Sequence, residues 1–268
     1  MLKYDFSVIC DKYSDFAVLQ RSAGETLIDL LKIRENEDVL DLGCGSGDLT
    51  RIIRKITNGK VVGIDASEGM IKEAIRRSEG LDILFEVKKA EDVDYEDAFN
   101  VIFSNSVFHW FENPEIVLRN FYKALRNKGR IGVQTIAKKN YCPNFIEALE
   151  NVKNDHRTKD IFKNFIGSWF LLDTEEEYNK LFQKCGFNVE FSEIREIKTK
   201  HTPEEVFNIF CSGSVIFYLN PISYSVPITK DYVYSFREII MNSFIEQAGT
   251  DGKVELVFNR LFLIATKP

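Results

Sequence analysis

The sequence has few of the residues that build metal sites and disulfide frameworks. Its 268 residues include only five cysteines and three histidines, and no two cysteines form a Cys-x-x-Cys pair. Scattered cysteines, odd in number, favour reduced thiols in a cytosol over a disulfide scaffold. The histidines are equally dispersed, so no metal-ligand spacing is visible. We therefore expect a cytoplasmic protein that binds no metal.

Long apolar runs and an excess of positive charge are also lacking. No run approaches the ~18 apolar residues that a membrane-spanning helix needs. The segment "MLKYDFSVIC" lacks the charged start and apolar core of a signal peptide. The formal net charge is -6 and the pI is about 5.3, which is a poor match for a phosphate backbone. We expect neither a membrane nor a nucleic acid among the partners.

Strands and helices alternate in the first half of the chain. Five apolar strand patterns lie between helical patterns up to residue 137, and further strands are predicted at 187–197 and near the end. This rhythm predicts an α/β fold with a doubly wound, seven-stranded, mostly parallel, Rossmann-like sheet. In such sheets ligands bind at the carboxyl ends of the strands. The stretch 202–250 is helical and aromatic, and predicts a cap inserted before the last strand.

Helix signals divide the chain into segments of one expected domain. Asn113 and Pro114 begin a helix that is predicted to end at Gly129, and capping boxes at Thr174 and Thr202 begin two more. A single domain is expected to span residues 1–268. Its segments are an N-terminal helical lid (1–33), a cofactor-binding core (34–140), substrate-side helices with the sixth strand (141–201), the helical cap (202–250) and the last strand (251–268).

The stretch "VLDLGCGSGDLT", residues 39–50, contains a glycine-rich turn between a strand and a helix. A lone Gly-x-Gly is often only a turn, but this context favours close approach of a cofactor at Gly43 and Gly45. Asp48 stands where the dinucleotide fingerprint has its third glycine, and Asp41 adds a second negative charge. Acids at a helix N-terminus compete with a pyrophosphate. The turn therefore favours a ligand with an amine and a sulfonium over a nicotinamide dinucleotide.

Asp65 closes the second predicted strand, at the usual position of an acid that binds two ribose hydroxyls. It could instead cap the next helix, but Ser67 is placed to do that. We interpret Asp65 as the ribose ligand.

Four segments in order resemble the motifs of class I S-adenosylmethionine-dependent methyltransferases. They are "VLDLGCGSG", "VVGIDASEGMI", "KKAEDVDY" and "FNVIFSNSVFHW", and the resemblance spans about residues 10 to 267. The segment "KYSDFAVLQRSAGETLIDLL" resembles malonyl-[acyl-carrier protein] methyltransferases, and "TDGKVELVFNRLFLIATKP" resembles trans-aconitate methyltransferases. "SNSVFHW" is similar to both groups and to juvenile hormone acid methyltransferases. All three groups esterify a carboxylate.

The resemblance implies S-adenosyl-L-methionine as the methyl donor and S-adenosyl-L-homocysteine as its product. Gly43 and Gly45 would let the backbone approach the methionine part, and Asp65 would hold the ribose. Lys89 departs from relatives that carry an acid there, so a carboxylate contact to adenine at that position is in doubt. The implied cofactor-binding residues are Asp41, Gly43, Cys44, Gly45, Asp65, Ala66, Met70, Ala90, Glu91, Ser104 and Asn105.

The acceptor is expected beside the "HW" pair. His109 is either a packed, hydrogen-bonded residue or a contact of the substrate, and it is our candidate catalytic residue. Trp110 is either a core anchor or a substrate contact, and Arg260 is either a surface residue or an inward-facing partner for a carboxylate. The full set of candidate substrate-binding residues is Tyr13, Gln20, Arg21, His109, Trp110, Tyr218 and Arg260.

Methylation of a carboxylate oxygen by in-line displacement is the favoured reaction. A carboxylate has a reference pKa near 4 and needs no general base at neutral pH, which fits the lack of an obvious catalytic dyad. The expected acceptor is a small molecule, either free or bound to a carrier. The alternatives are N-, C- or hydroxyl O-methylation, and a non-catalytic protein that binds S-adenosylmethionine. "SNSV" replaces the Asn/Asp-Pro-Pro-Tyr loop of base-methylating enzymes, which disfavours amide and adenine acceptors.

Overall fold

The computed structural model describes residues 18–268, and it describes side chains from residue 21 onward. A sheet of seven strands forms the centre of this part of the chain. Across the sheet the strand order is β3-β2-β1-β4-β5-β7-β6. The strands are β1 (Val39–Leu42), β2 (Val61–Asp65), β3 (Leu84–Val87), β4 (Phe99–Asn105), β5 (Leu125–Ile136), β6 (Asn188–His201) and β7 (Val254–Thr266).

The strand directions confirm the predicted doubly wound fold. The five strands β1 to β5 are parallel, and β7 runs antiparallel to both β5 and β6. The chain builds outward from β1 in one direction through β3 and then returns to place β4 on the other side of β1. This reversal leaves a crevice at the carboxyl ends of β1 and β4, where such sheets bind ligands.

Helices cover both faces of the sheet, as a parallel sheet requires. They are α1 (Val18–Leu31), α2 (Asp48–Ile56), α3 (Glu68–Arg77), α4 (Pro114–Ala124), α5 (Pro143–Asn154), α6 (Lys159–Phe162), α7 (Glu175–Lys184), α8 (Pro203–Tyr218) and α9 (Lys230–Glu246). The predicted helix starts at Asn113, Thr174 and Thr202 are confirmed, because each side chain accepts a backbone N–H of the first turn. Within residues 18–268, every helix is too short or too polar to span a bilayer.

The predicted end of α4 at Gly129 is wrong. The helix ends at Ala124, and β5 begins at once with the buried Leu125, which pairs with Phe99. Residues 126–129 then interrupt the pairing, with Lys128 in the left-handed region at a φ of 64°. Basic residues and a glycine are typical of a helix end, but here they form an irregularity inside the strand.

The second half is less helical than its composition suggests. Of the substrate-side helices predicted within 141–201, α5 and the single turn of α6 are followed by an irregular segment from residue 163 to 174. Phe165 in this segment forms a β-bridge with Tyr224 of the cap. The aromatic side chains here pack against the cap, so tertiary contacts replace local helix.

The cap consists mainly of α8 and α9, which pack with α5 through aromatic rings. Phe145 of α5 packs edge to face on Phe210 of α8, at 5.0 Å between ring centres, and lies 5.7 Å from Phe244 of α9. These three side chains are almost fully buried. They belong to an apolar core that also contains Phe258 of β7, and Phe258 joins the cap to the sheet. This core places the cap beside the carboxyl end of β5.

Candidate active site

The turn between β1 and α2 is held by backbone hydrogen bonds and by positive φ angles. Gly43 N donates to Ile64 O at 2.8 Å, so the turn stays attached to β2 after β1 has ended. Gly43, Gly45 and Gly47 have φ angles of 68°, 52° and 76°, a region that glycine adopts far more readily than other residues. The chain can form this turn because glycine occupies all three positions with a positive φ angle.

Gly43 and Gly45 differ in what surrounds them. A Cβ at Gly43 would lie 2.2 Å from Cγ2 of Val107, so that position is closed by a neighbouring side chain. A Cβ at Gly45 would meet nothing within 4 Å, and Gly45 lines a cavity. The open space beside Gly45 allows close approach of a ligand, whereas at Gly43 the packing of Val107 and the positive φ angle both require glycine.

Substitution of the two glycines should separate stability from binding. Gly43→Ala should lower the melting temperature, because the added methyl clashes with Val107, and Val107→Ala in the same chain should restore much of it. Gly45→Ala should cost about 1–2 kcal/mol of stability for its left-handed backbone and weaken cofactor binding. Thermal unfolding and calorimetry with S-adenosylhomocysteine measure the two effects. Equal affinity in Gly45→Ala and the unaltered protein would contradict this view of the turn.

Asp65, at the end of β2, anchors the same turn. Its Oδ2 accepts from Gly45 N at 3.0 Å, and its Oδ1 accepts from Ser67 N at 2.8 Å. Burial raises the pKa of the carboxyl, and the backbone hydrogen bonds oppose that rise. Each carboxylate oxygen can accept more than one hydrogen bond. Asp65 can therefore hold the turn and still accept ribose hydroxyls.

A cavity of about 550 Å³ opens beside this turn. That volume lies within the range of roughly 300–1,000 Å³ that is usual for small-molecule sites. Of the predicted cofactor residues, the structure brings eight to its wall: Gly43, Gly45, Asp65, Ala66, Met70, Ala90, Glu91 and Asn105. Residues not foreseen from the sequence also line it: Leu42, Ser67, Lys88, Lys89, Asp92, Ser106, Val107, Phe111, Glu112 and Asn113.

The other three predicted cofactor residues, Asp41, Cys44 and Ser104, are not among the residues of the cavity wall. Asp41 is 2% exposed and accepts a hydrogen bond from Thr50 Oγ1 at 2.5 Å. Burial, with a further contribution from Asp65, raises its pKa to about 7. Cys44 and Ser104 are buried as well. The three side chains therefore pack beneath the cavity wall and do not line it. Only their backbone atoms and the charge of Asp41 could act on a ligand.

The predicted adenine end carries cations as well as acids. Ala90 is buried, while Lys89 and Glu91 on either side of it are exposed at the cavity. Lys88 forms an ion pair with Asp94 at 2.8 Å and lies 4.5 Å from the ring centre of Tyr95. The cavity wall at this point therefore contains two lysines, Lys88 and Lys89, as well as the acids Glu91 and Asp92.

The end of β4 carries backbone strain next to the cavity. Ser106 lines the cavity with a φ of 60°, which is uncommon for a residue other than glycine. Its N–H donates to Gln134 O at 2.8 Å, and this bond holds the turn to β5. Strained positions of this kind cluster at functional sites. The backbone after Asn105 is thus held in one conformation at the cavity wall.

His109 is buried behind the cavity wall. It is 7% exposed, and its Nδ1 lies 2.9 Å from Thr135 Oγ1. Burial, with a smaller effect of the nearby Arg260 charge, lowers its pKa to about 3. The imidazole is therefore neutral at physiological pH. Among the described residues no hydrogen bond reaches Nε2.

Arg260 is inward-facing, as one of the two sequence interpretations held. It is 3% exposed on β7, opposite Ile136 at the carboxyl end of β5. Gln134, in the amide orientation that satisfies both its ends, accepts from Arg260 Nη1 at 3.2 Å and donates to Asn105 Oδ1 at 2.7 Å. Because Asn105 lines the cavity, the guanidinium lies two hydrogen bonds behind the wall.

Aromatic rings join the cavity to the cap. Trp110 lines the cavity and contacts His109, with ring centres 5.2 Å apart, and Trp169, at 5.5 Å. Tyr218 is buried on the cap side, 5.7 Å from Trp169, and its hydroxyl lies 3.5 Å from that of Tyr141. Trp110 thus separates the cofactor cavity from a group of buried polar side chains.

The remaining predicted substrate residues lie on or before α1. Arg21 is exposed and pairs with Glu25 one turn along the helix, at 3.1 Å, so its side chain is used at the surface. Tyr13 and the side chain of Gln20 lie outside the described residues. Within residues 18–268, no group of three or more histidine, cysteine, aspartate and glutamate side chains could hold a metal ion.

Sequence reasoning missed the partners of His109 and Arg260. Thr135 and Gln134 are fully buried polar residues in β5, and their place in an apolar strand was a signal that could have found them. Trp169 lies in the irregular segment after α6, where no local pattern marks it.

Comparison with known proteins assigns the chain to a family. Residues 33–186, more than half of the chain, match the methyltransferase domain family, and the chain belongs to it. With the glycine turn, Asp65 and the cavity in one place, the protein is a class I S-adenosylmethionine-dependent methyltransferase.

Relatives and solved structures agree with this assignment. An uncharacterised methyltransferase of Schizosaccharomyces pombe is 29% identical over 255 residues, covering 90% of each chain. A malonyl-[acyl-carrier protein] O-methyltransferase of Calditerrivibrio nitroreducens is 26% identical over 171 residues. The match covers 63% of this chain and 66% of that relative. The fold is also similar to that of a chain in a solved complex, which joins the Haloferax volcanii Trm112 methyltransferase activator to a methyltransferase. The TM-score is 0.62 at 17% identity, and the match covers the whole of both chains.

Proposed function

We propose that this enzyme methylates a carboxylate oxygen of a small-molecule acceptor. The observation that carries the proposal is a buried cation, Arg260, whose charge acts on a buried neutral histidine, His109, behind the wall of the cavity. A buried guanidinium suits a planar anion. A histidine with a pKa of about 3 is a weak base, which suits an acceptor that is already ionised. The malonyl-[acyl-carrier protein] O-methyltransferase relative supports the same substrate class.

The residues of the cavity wall fit S-adenosylmethionine. Asp65 would accept the ribose hydroxyls, and Ala66 and Met70 would lie beside the adenine, with Ala90 and Glu91 at its amine. Gly45 leaves open space for the methionine part, and the backbone at Ser104 and Asn105 would take the amino group. Asp41 and Cys44 lie beneath the turn, where a bound cation would favour the ionised form of Asp41, whose pKa is about 7. Bound there, S-adenosylmethionine supplies an activated methyl group on a sulfonium.

The protein's own contribution would be positioning and exclusion of water. Arg260 would orient the acceptor through Gln134 and Asn105, which connect its guanidinium to the cavity wall. Trp110, between the cavity and the cap, would keep the reacting groups in contact. Alignment of reacting atoms at about 3 Å accounts for large rate gains without a general base. Tyr218 would shape the cap side of the acceptor pocket, while Tyr13 and Gln20 stay predicted contacts.

The acceptor is proposed to be free or bound to a carrier protein, as the name of the malonyl-[acyl-carrier protein] relative suggests. The scattered cysteines support a cytoplasmic location for this chemistry.

Replacement of His109 tests the chemistry. His109→Gln keeps a hydrogen-bonding side chain but cannot act as a base. If the acceptor is a carboxylate, kcat should fall by less than about tenfold, whereas loss of a general base would cost about 10²-fold or more. Any step in the pH profile of kcat near neutrality should also be the same in His109→Gln, because the pKa of His109 is about 3, whereas that of Asp41 is about 7.

An acceptor panel with stopped-time product analysis measures this effect. Thr135→Val is the matched control, because it removes the hydrogen-bond partner of His109 Nδ1 but leaves the ring. A loss of 10²-fold in His109→Gln, together with a methylamine or ether product, would overturn the carboxylate proposal and favour N- or hydroxyl O-methylation. No turnover with any acceptor, despite cofactor binding, would favour the non-catalytic alternative.

A further inference from the structure

Trp169 carries a buried polar atom without a partner. Its indole ring is half-buried, but Nε1 is inaccessible to solvent, and no residue of the described chain accepts its hydrogen. Leaving a buried donor unpaired costs on the order of 1–3 kcal/mol. Native proteins keep few such groups, and each calls for an explanation. A bound acceptor that supplies the missing oxygen would provide one.

The ring is held firmly by its neighbours. Trp169 stacks on Phe217 of α8 with ring centres 4.3 Å apart, and it meets Tyr141 edge to face at 5.1 Å. Because these contacts fix the ring plane, the direction of the N–H is fixed as well. A donor that is positioned in advance loses little entropy when it binds a ligand.

The surroundings of Trp169 match an anion. Its ring meets His109 edge to face at 5.3 Å, and His109 is the residue on which the Arg260 charge acts. Tyr141 O accepts from Asn259 N at 2.8 Å, which attaches the Trp169 side of this group to β7 next to Arg260. Trp110 links the group to the cofactor cavity. An indole and a neutral imidazole therefore lie in contact behind Trp110, and the Arg260 charge acts on that imidazole.

We propose that Trp169 is a specificity-determining residue, whose Nε1–H donates to the acid group of the acceptor while the nearby Arg260 charge favours that anion. This inference rests on the proposed carboxyl methylation and adds a residue that neither the motifs nor the relatives assign. A neutral donor and a cation together hold an acid group in one orientation. An acceptor in which an amide replaces the acid would lose the charge-assisted part of this contact.

Kinetics of two Trp169 variants test the assignment. Trp169→Phe removes the N–H, and replacement of Trp169 by benzothienylalanine puts sulfur in place of the N–H in a ring of nearly the same shape. A hydrogen bond to a charged group is worth about 1.5–3 kcal/mol, so both variants should raise the Michaelis constant for the acid by roughly 10- to 100-fold. Affinity for S-adenosylhomocysteine should stay unchanged. A benzothienylalanine protein with unaltered kinetics would show that Trp169 only packs.

The indole N–H can also be observed directly, because the chain has only two tryptophans. Protein labelled with ¹⁵N-tryptophan and saturated with S-adenosylhomocysteine should show two indole cross-peaks, and Trp169→Phe assigns the second by its loss. Titration with a panel of carboxylates, from malonate to hexanoate, should move the Trp169 proton downfield in a saturable way. Malonamide and sodium chloride at equal ionic strength are the controls. A Trp169 peak that no acid of the panel moves would overturn the inference.

The two proposals fail in different ways. If the product is a methyl ester but both Trp169 variants keep the Michaelis constant, the role of Trp169 is refuted and carboxyl methylation stands. If the product is a methylamine or an ether, carboxyl methylation falls and the role of Trp169 falls with it.

Discussion

Asp65→Asn should weaken S-adenosylmethionine binding by at least tenfold and by as much as about a thousandfold. The aspartate would lose its charge and one of its two acceptor oxygens, and hydrogen bonds to charged groups are worth about 1.5–3 kcal/mol each. The amide would also disturb the turn, because the two carboxylate oxygens accept from Gly45 N and Ser67 N. Isothermal calorimetry with S-adenosylmethionine measures the loss.

Asp92→Asn is the matched control for this substitution. Asp92 lines the same cavity but is exposed and at the end predicted to bind adenine, so its replacement should change the dissociation constant by less than about threefold. Far-ultraviolet circular dichroism checks that both variants are folded. An Asp65→Asn protein that binds as tightly as the unaltered one would refute the ribose assignment and, with it, the orientation of the cofactor.

Arg260→Met should raise the Michaelis constant for an acid acceptor by about 10²-fold and leave cofactor affinity nearly unchanged. Methionine keeps much of the length and the apolar stem, so packing over Phe258, which lies 4.8 Å from the guanidinium, is largely retained. The charge and the hydrogen-bonding fork are lost, and these are what an arginine offers a carboxylate. Steady-state kinetics with the acid and its neutral amide measure the effect, which should vanish for the amide.

Arg195→Met offers a control in the same rung of the sheet. Arg195 of β6 pairs in register with Arg260, but its side chain is partly exposed and lies over Phe262 and beside Glu193. Its replacement should leave the Michaelis constant unaltered. Equal effects of the two substitutions would show that the sheet, and not the guanidinium of Arg260, governs acceptor binding.

The parallel core could be predicted because its signals are local. Buried strands, Ser67 as a helix cap and the glycine turn depend on neighbours in sequence. The end of α4 could not be predicted this way, because Leu125 belongs to β5 through its pairing with Phe99, which is not a neighbour in sequence. The irregular segment after α6 likewise depends on its contacts with the cap.

The candidate site divides along the same line. Asp65 and Gly45 belong to short motifs, and the structure brings both to the cavity. At Gly43 the motif identified the right residue, but the packing of Val107 supplies the steric reason. The polar side chains around His109 come from two separate segments, Gln134 and Thr135 from β5 and Trp169 from the irregular segment after α6. These residues carry no shared pattern in sequence, so only the fold could reveal the group.

The most direct test of carboxyl methylation is the fate of a labelled methyl group. The enzyme would be given S-adenosylmethionine with a trideuterated methyl and a panel of free and carrier-bound acids, with matched amines and alcohols. We expect label only on the acids, and mild alkali should release it as trideuterated methanol because esters hydrolyse readily. Label that resists alkali, or that appears on an amine or an alcohol, would contradict the proposed reaction.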